Sequence, residues 1–123
     1  MENKNILIIG GAGFIGSSLC IELLKYNNRI LILDNLLSEK KDNIPNDVTF
    51  IENSAINIFN INFNILFDIV FHFGEYSRVE ISEYENLLCF DNTMATIGKI
   101  IEFCLINKCK LIYSGSSTKF STE

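Results

Sequence analysis

One stretch, NILIIGGAGFIGSSL from Asn5 to Leu19, narrows the possible folds more than any other in the chain. Ile6 to Ile9 is an apolar run without alternation, the pattern of a parallel strand buried on both faces. Glycines break the run at Gly10, Gly11 and Gly13. Apolar residues then recur four apart, at Ile15, Leu19 and Leu23. That spacing predicts one face of a helix, ending near Asn27 and Asn28. A strand that runs through glycines straight into a helix is the first half of a βαβ unit. Such a unit commits the chain to a parallel sheet with crossover helices.

The rest of the chain continues the alternation. Arg29 to Leu33 reads as a second apolar strand, and Leu36 to Asp47, polar with a lone Pro45, as loop or short helix. Val48 to Ile51 reads as a third strand. The segment NSAINIFNINFNIL alternates like a strand, yet Phe59, Phe63 and Leu66 also fit a helical stripe, and helix is the preferred reading. Asp68 to Phe73 is a fourth strand. Leu87, Phe90, Met94, Ile97, Ile101 and Cys104 recur three or four apart, which predicts a long amphipathic helix. Leu111 to Ser114 is the fifth strand. The expected fold is a Rossmann-like, doubly wound α/β sheet of order 3-2-1-4-5, cut short after its fifth strand. Ligands of such sheets sit at the carboxyl ends of the strands.

Composition removes several function classes. The 123 residues suit one domain, residues 1–123, and a 48% hydrophobic, 20% charged chain can pack a core. A net charge of -5 opposes nucleic-acid binding, for which a basic face is expected. No segment has the roughly 20 apolar residues of a membrane span. The N-terminus lacks the pattern of a signal peptide, so a cytoplasmic location is expected. Cys20, Cys89, Cys104 and Cys109 form no CxxC pair and His72 is the one histidine. No metal site is expected, and the thiols read as small apolar core residues on helices. The many asparagines and isoleucines read as compositional drift.

The glycine spacing carries chemistry because of where it lies. Gly11, Gly13 and Gly16 satisfy GxGxxG between a predicted strand and a predicted helix. An early glycine, Gly10 or Gly11, permits the tight turn. Gly13 lets backbone approach a pyrophosphate, and Gly16 lets the helix pack close to the strand. The helix N-terminus then offers free N–H groups to phosphates. Asp34, eighteen residues past Gly16, stands at the end of the second strand. An acid there can accept both hydroxyls of an adenosine ribose and would repel a 2′-phosphate, so NAD is expected rather than NADP. The alternative for Asp34 is a turn cap in the following loop.

With these motifs in order, the sequence resembles the NAD-dependent epimerase/dehydratase family, the extended short-chain dehydrogenases, and within it the nucleotide-sugar 4-epimerases. The resemblance runs from residue 4 to the last residue. It rests on GGAGFIGSSL, LILDNL, VFHFGEYSRVEIS, DNTMATIGKIIEFC and LIYSGSSTKF. It implies that Phe14 and Ile15 lie along the pyrophosphate turn and that Asn35 accompanies Asp34. Phe73, Gly74 and Ser77 would border the nicotinamide-side ribose. Asn92 would steady the strands around the cofactor, and Ser114 would join the cofactor set. Ser116 would be the catalytic hydroxyl that hydrogen-bonds the sugar oxygen being oxidised. A strand-end serine capping local backbone is the other reading of Ser116. The resemblance also implies a nucleotide-sugar substrate and a homodimer for the complete protein.

Departures from the family pattern are specific. The third strand of the family ends in a glycine–aspartate pair that meets the adenine amine, where this chain has Ser54 and Ala55. Glu75 replaces a small residue and faces either the nicotinamide or solvent. Ser117 and Thr118 stand where sugar 4,6-dehydratases carry acids, which disfavours that reaction. The family's proton-transfer pair is Tyr-x-x-x-Lys. Here Tyr26, Tyr76, Tyr84 and Tyr113 are followed four on by Ile30, Glu80, Leu88 and Ser117. The expectation is therefore a cofactor-binding amino-terminal half of a longer enzyme, which binds NAD without turnover. An NAD-sensing Rossmann module that regulates a partner is the alternative.

Overall fold

In the computed structural model, residues 1–11, 14–35, 44–73 and 83–113 are described. Five parallel strands form one sheet in the order β3-β2-β1-β4-β5. The strands are β1 (Asn5–Ile9), β2 (Arg29–Asp34), β3 (Thr49–Glu52), β4 (Ile69–His72) and β5 (Lys110–Tyr113). Helix α1 (Phe14–Leu24) joins β1 to β2, and α2 (Glu83–Asn107) lies between β4 and β5. The predicted order and the doubly wound topology are those observed. Strand limits differ from the predicted ones by a residue or two. Ser114, expected to end the fifth strand, lies outside the described residues.

Alternation along the strands divides the core into two layers. Ile6, Ile8, Ile30, Ile32, Ile69 and Phe71 meet Cys20 and Leu23 of α1 on one face of the sheet. Leu7, Ile9, Leu31, Leu33 and Val70 meet Ile58, Phe67, Ile100, Phe103 and Cys104 on the other. Both faces are covered, so these strands read as unbroken apolar runs.

On each helix the buried face overlaps the predicted one in part: Leu23 and Cys104 are buried and Leu19 packs on the core, but other predicted positions turn outward. On α1 the buried positions are Gly16, Ser17, Cys20 and Leu23, while Ile15 is 61% exposed. Close packing of Gly16 against the preceding turn sets that orientation. On α2, Ile100, Phe103 and Cys104 are buried, whereas Met94 and Ile101 are 52% and 45% exposed. Phe103 packs edge-on against Phe59 and Phe63, which pulls the 100–103–104 face inward. Leu87 and Phe90 fall among residues whose side chains are not described.

The preferred helix over residues 53–66 is not formed. A 3-10 helix spans Ala55–Asn60, capped by Ser54, whose hydroxyl accepts from the Ile56 N–H at 3.3 Å. Ile58 is its one buried residue, and Phe63 docks on Phe67 in the irregular chain beyond. Leu66, assigned to the stripe, is 76% exposed. Asparagines interrupt the pattern every two to four residues, and short polar side chains compete for backbone bonds in a helix interior.

Asparagine is structural here rather than mere drift. Among the described non-glycine residues with positive φ, three of four are asparagines, Asn3, Asn27 and Asn64, and the fourth is Lys108. Short amide side chains tolerate that region best after glycine. Buried Asn28 ties the chain start to the end of α1. Its Oδ1 accepts from the Lys4 N–H at 2.9 Å, and its Nδ2 donates to the carbonyls of Leu23 at 2.8 Å and Met1 at 3.2 Å.

Candidate functional site

The carboxyl ends of β1, β2, β3 and β4 lie side by side, and among the described residues Gly10, Gly11, Asp34, Ser54 and Phe73 lie at or just beyond them. At the end of β1, Gly10 takes φ 83°, a conformation open to glycine, and its N–H donates to the Leu33 carbonyl at 2.8 Å. The chain thus turns while still paired to β2. Gly11 packs on β2 so closely that a Cβ would lie 2.7 Å from Ile32 Cγ2. A Cβ on Gly16 would lie 2.6 Å from the Gly10 carbonyl oxygen and 2.7 Å from Gly11 Cα. The start of α1 therefore rests directly on the backbone of the turn. No acidic residue stands in the first turn of α1, so nothing there opposes an anion at its N-terminus. A cradle walled by glycine backbone and opening on a helix start fits a pyrophosphate.

Asp34 closes β2 one strand away from this turn, with Ile9 and Leu33 in register beside it. Alternation puts it on the sheet face of Ile30 and Ile32, the face that α1 covers. It is half-buried, and Asn35 after it is exposed. That position matches a ribose acceptor flanking a pyrophosphate turn. Across the sheet, Glu52 of β3 stands in register with Asp34, a second acid that sequence reasoning gave no role. Ser54 follows it, but its hydroxyl already serves as a cap. It retains an O–H donor and a second lone pair. Asn53 was also overlooked. Its Oδ1 accepts from the Ser54 N–H at 2.7 Å and from Asn57 Nδ2 at 2.9 Å, which fixes the rim of β3. Ala55 begins the 3-10 helix and packs on the core.

On the other side of β1, the Phe73 N–H donates to the Ile9 carbonyl at 2.7 Å, and its ring stacks on Phe71 at 6.0 Å. Phe73 is thereby held at the mouth of β4. His72, to which local pattern assigns no role, is buried with its ring 5.2 Å from that of Tyr113. Their pairing follows from the register of β4 and β5, which no local pattern reveals. Burial pushes the Tyr113 phenol up from its ordinary 10.0, opposite to what a general base near neutrality requires. Ile15 is exposed in the first turn of α1, next to the turn it was assigned to. Phe14 begins α1 and Asn92 lies within α2. Gly13, Gly74, Glu75, Ser77, Ser114 and Ser116 lie outside the described residues. Among the described residues no cluster of His, Cys, Asp or Glu could hold a metal ion, and no helix is long and apolar enough to cross a membrane.

Comparison with known proteins accords with this arrangement. A UDP-glucose 4-epimerase of Yersinia enterocolitica is 31% identical over 134 residues, covering 94% of this chain and 38% of the relative. A UDP-glucose 4-epimerase of Klebsiella pneumoniae is 29% identical, covering 96% of this chain and 93% of the relative. The crystal structure of the Bordetella bronchiseptica enzyme WbmF in complex with NAD+ matches with a TM-score of 0.80 at 31% identity. That match covers 94% of this chain and 37% of the Bordetella chain. The chain thus spans well under half the length of the Yersinia and Bordetella proteins. The sequence profile of the NAD dependent epimerase/dehydratase family matches residues 6–122. With that match across nearly the whole chain, and with the glycine turn and the strand-end acid in place, this protein belongs to the NAD dependent epimerase/dehydratase family.

Proposed function

We propose that residues 1–123 form a single NAD-binding domain of a nucleotide-sugar epimerase. The observation that carries this reading is the glycine cradle of Gly10, Gly11 and Gly16 at the start of α1, with Asp34 one strand away. The cradle and the α1 N–H groups hold the pyrophosphate, with Gly13, Phe14 and Ile15 along it. Asp34 and Asn35 accept the adenosine ribose hydroxyls. Ser54 and Ala55 border the adenine, Ser54 as a donor or through its second lone pair. Phe73, Gly74, Ser77 and Ser114 line the nicotinamide side, and Asn92 steadies the strands behind it.

Bound NAD supplies reversible hydride acceptance. Ser116 would hydrogen-bond the sugar oxygen whose carbon gives up the hydride. A serine is too weak a base to take that proton unaided. No Tyr-x-x-x-Lys occurs in the 123 residues, so this chain is expected to bind NAD without epimerising a sugar. The second reading is a non-catalytic NAD-sensing module that regulates a partner. The nucleotide sugar, a UDP-sugar by analogy with the named relatives, belongs to the complete protein. Pairing of two complete copies is part of the proposal, supported by the exposed apolar row of Met94, Ile101 and Leu105 along α2.

Calorimetric titration with NAD tests the reading. Gly13→Val should abolish binding by filling the pyrophosphate position. Asp34→Ala should lose charged hydrogen bonds worth about 1.5–3 kcal/mol, roughly 10- to 150-fold in Kd. If both variants bind NAD as the parent does, the glycine turn is only a turn.

A further inference from the structure

The end of α2 places two thiols together through a backbone motif. Lys108 takes φ 57°, and the Cys109 N–H donates to the Cys104 carbonyl at 2.9 Å. This is the six-to-one bond of a Schellman cap, in which the side chains at these two positions commonly touch as an apolar pair. Here both are cysteines. The two thiols lie close enough to influence one another, and the Cys109 thiol donates to the Phe67 carbonyl at 3.3 Å. The Asn107 carbonyl lies within 3.9 Å of the same sulfur. Cys104 is buried and Cys109 half-buried, so Cys109 is the more accessible member of the pair. Cys20 belongs to the core layer on the opposite face of the sheet and cannot compete.

We propose that Cys104 and Cys109 are a dithiol modification site that closes to a reversible intrachain disulfide when met by a low-molecular-weight disulfide such as oxidised glutathione. A disulfide requires Cα atoms roughly 4.4–6.8 Å apart, and a backbone hydrogen bond linking the same two residues holds them near that range. Burial pushes the Cys109 thiol up from its ordinary 9.0, so under alkaline conditions its thiolate attacks one sulfur of the reagent and breaks its S–S bond, releasing one reagent thiol and leaving a mixed disulfide. Cys104, its proton given to solvent, then attacks Cys109 Sγ and releases the second reagent thiol. The protein loses two hydrogens and the reagent disulfide is reduced to two thiols. The site lies at the amino end of β5, away from the strand ends that carry the glycine turn. The proposal therefore stands or falls separately from NAD binding.

Peptide mapping of the reduced 123-residue chain after exposure to oxidised glutathione under alkaline conditions, without air, tests this directly. Trypsin cuts after Lys99, Lys108 and Lys110, so peptides Ile100–Lys108 and Cys109–Lys110 separate unless joined by the disulfide. The expected result is loss of two of the four thiols, a mass lower by two hydrogens, and joined peptides that dithiothreitol releases. Cys104→Ser should stop at a mixed disulfide on Cys109; if that variant does not fold, the parent map decides alone. Four thiols left free in the parent would overturn the proposal. So would a stable mixed disulfide on Cys109 beside reduced Cys104, or pairing between chains or with Cys20 or Cys89.

Discussion

Substituting alanine at two glycines in two helices should move stability in opposite directions. At Gly16 the added methyl would lie 2.6 Å from the Gly10 carbonyl oxygen and 2.7 Å from Gly11 Cα, both backbone atoms. The turn cannot yield easily, because the Gly10 N–H is bonded to Leu33 of β2 at 2.8 Å. Helix α1 must lift instead. Overpacking costs about 1–3 kcal/mol, and two backbone contacts under 3 Å put this site at about 2–3; the helix preference for alanine returns about 1 kcal/mol, so a net loss of roughly 1–2 kcal/mol is expected. At Gly98 of α2 a methyl meets nothing within 4 Å. There the helix preference acts alone, and Gly98→Ala should stabilise by about 0.5–1 kcal/mol. Thermal unfolding followed by circular dichroism reads the contrast, at roughly 4 °C per kcal/mol for a chain of this size. Gly16→Ala should melt lower and bind NAD more weakly, and Gly98→Ala should melt higher. If the two variants shift together, or if Gly16→Ala melts with the parent, the close approach of α1 to the turn does not control this end of the sheet.

Three further outcomes are expected. NADP should bind more weakly than NAD, because Asp34 opposes a 2′-phosphate, and Asp34→Ala should narrow the gap; equal affinities in the parent would remove the argument. Asn28→Leu should destabilise by about 1–3 kcal/mol, since the Leu23 carbonyl and Lys4 N–H lose their buried partner, a change that urea unfolding measures. Burial pushes the Cys20 and Cys104 thiols from the ordinary 9.0 up to about 11 and about 12. The folded state then keeps protons that the unfolded state releases, so stability should fall as pH rises from about 9 towards 12. Urea midpoints over an alkaline series should drop less steeply for Cys20→Ala than for the parent, and an unchanged slope would contradict the burial argument.

The parallel order of the sheet and the place of its glycine turn were legible in the sequence for one physical reason. A strand buried on both faces needs an unbroken apolar run such as Ile6 to Ile9, and a helix packed against such a turn needs a residue without a side chain, as Gly16 is. Asp34 was legible too, because its place at the end of an apolar strand depends only on chain order. What local pattern left open was rotation and partnership. Helix α2 carries apolar residues on several sides, so spacing alone admitted Met94 and Ile101 as readily as Ile100 and Phe103. Packing against Phe59 and Phe63 from another part of the chain chose between them. The segment 53–66 carried two periods at once, and its asparagines turned it into a short 3-10 helix tethered by Ile58. Glu52 beside Asp34, His72 beside Tyr113 and Cys104 beside Cys109 are neighbours only because strands pair in a given register or a helix ends in a given turn. Those contacts join residues from separate elements or across a helix end, and only the folded chain decides them.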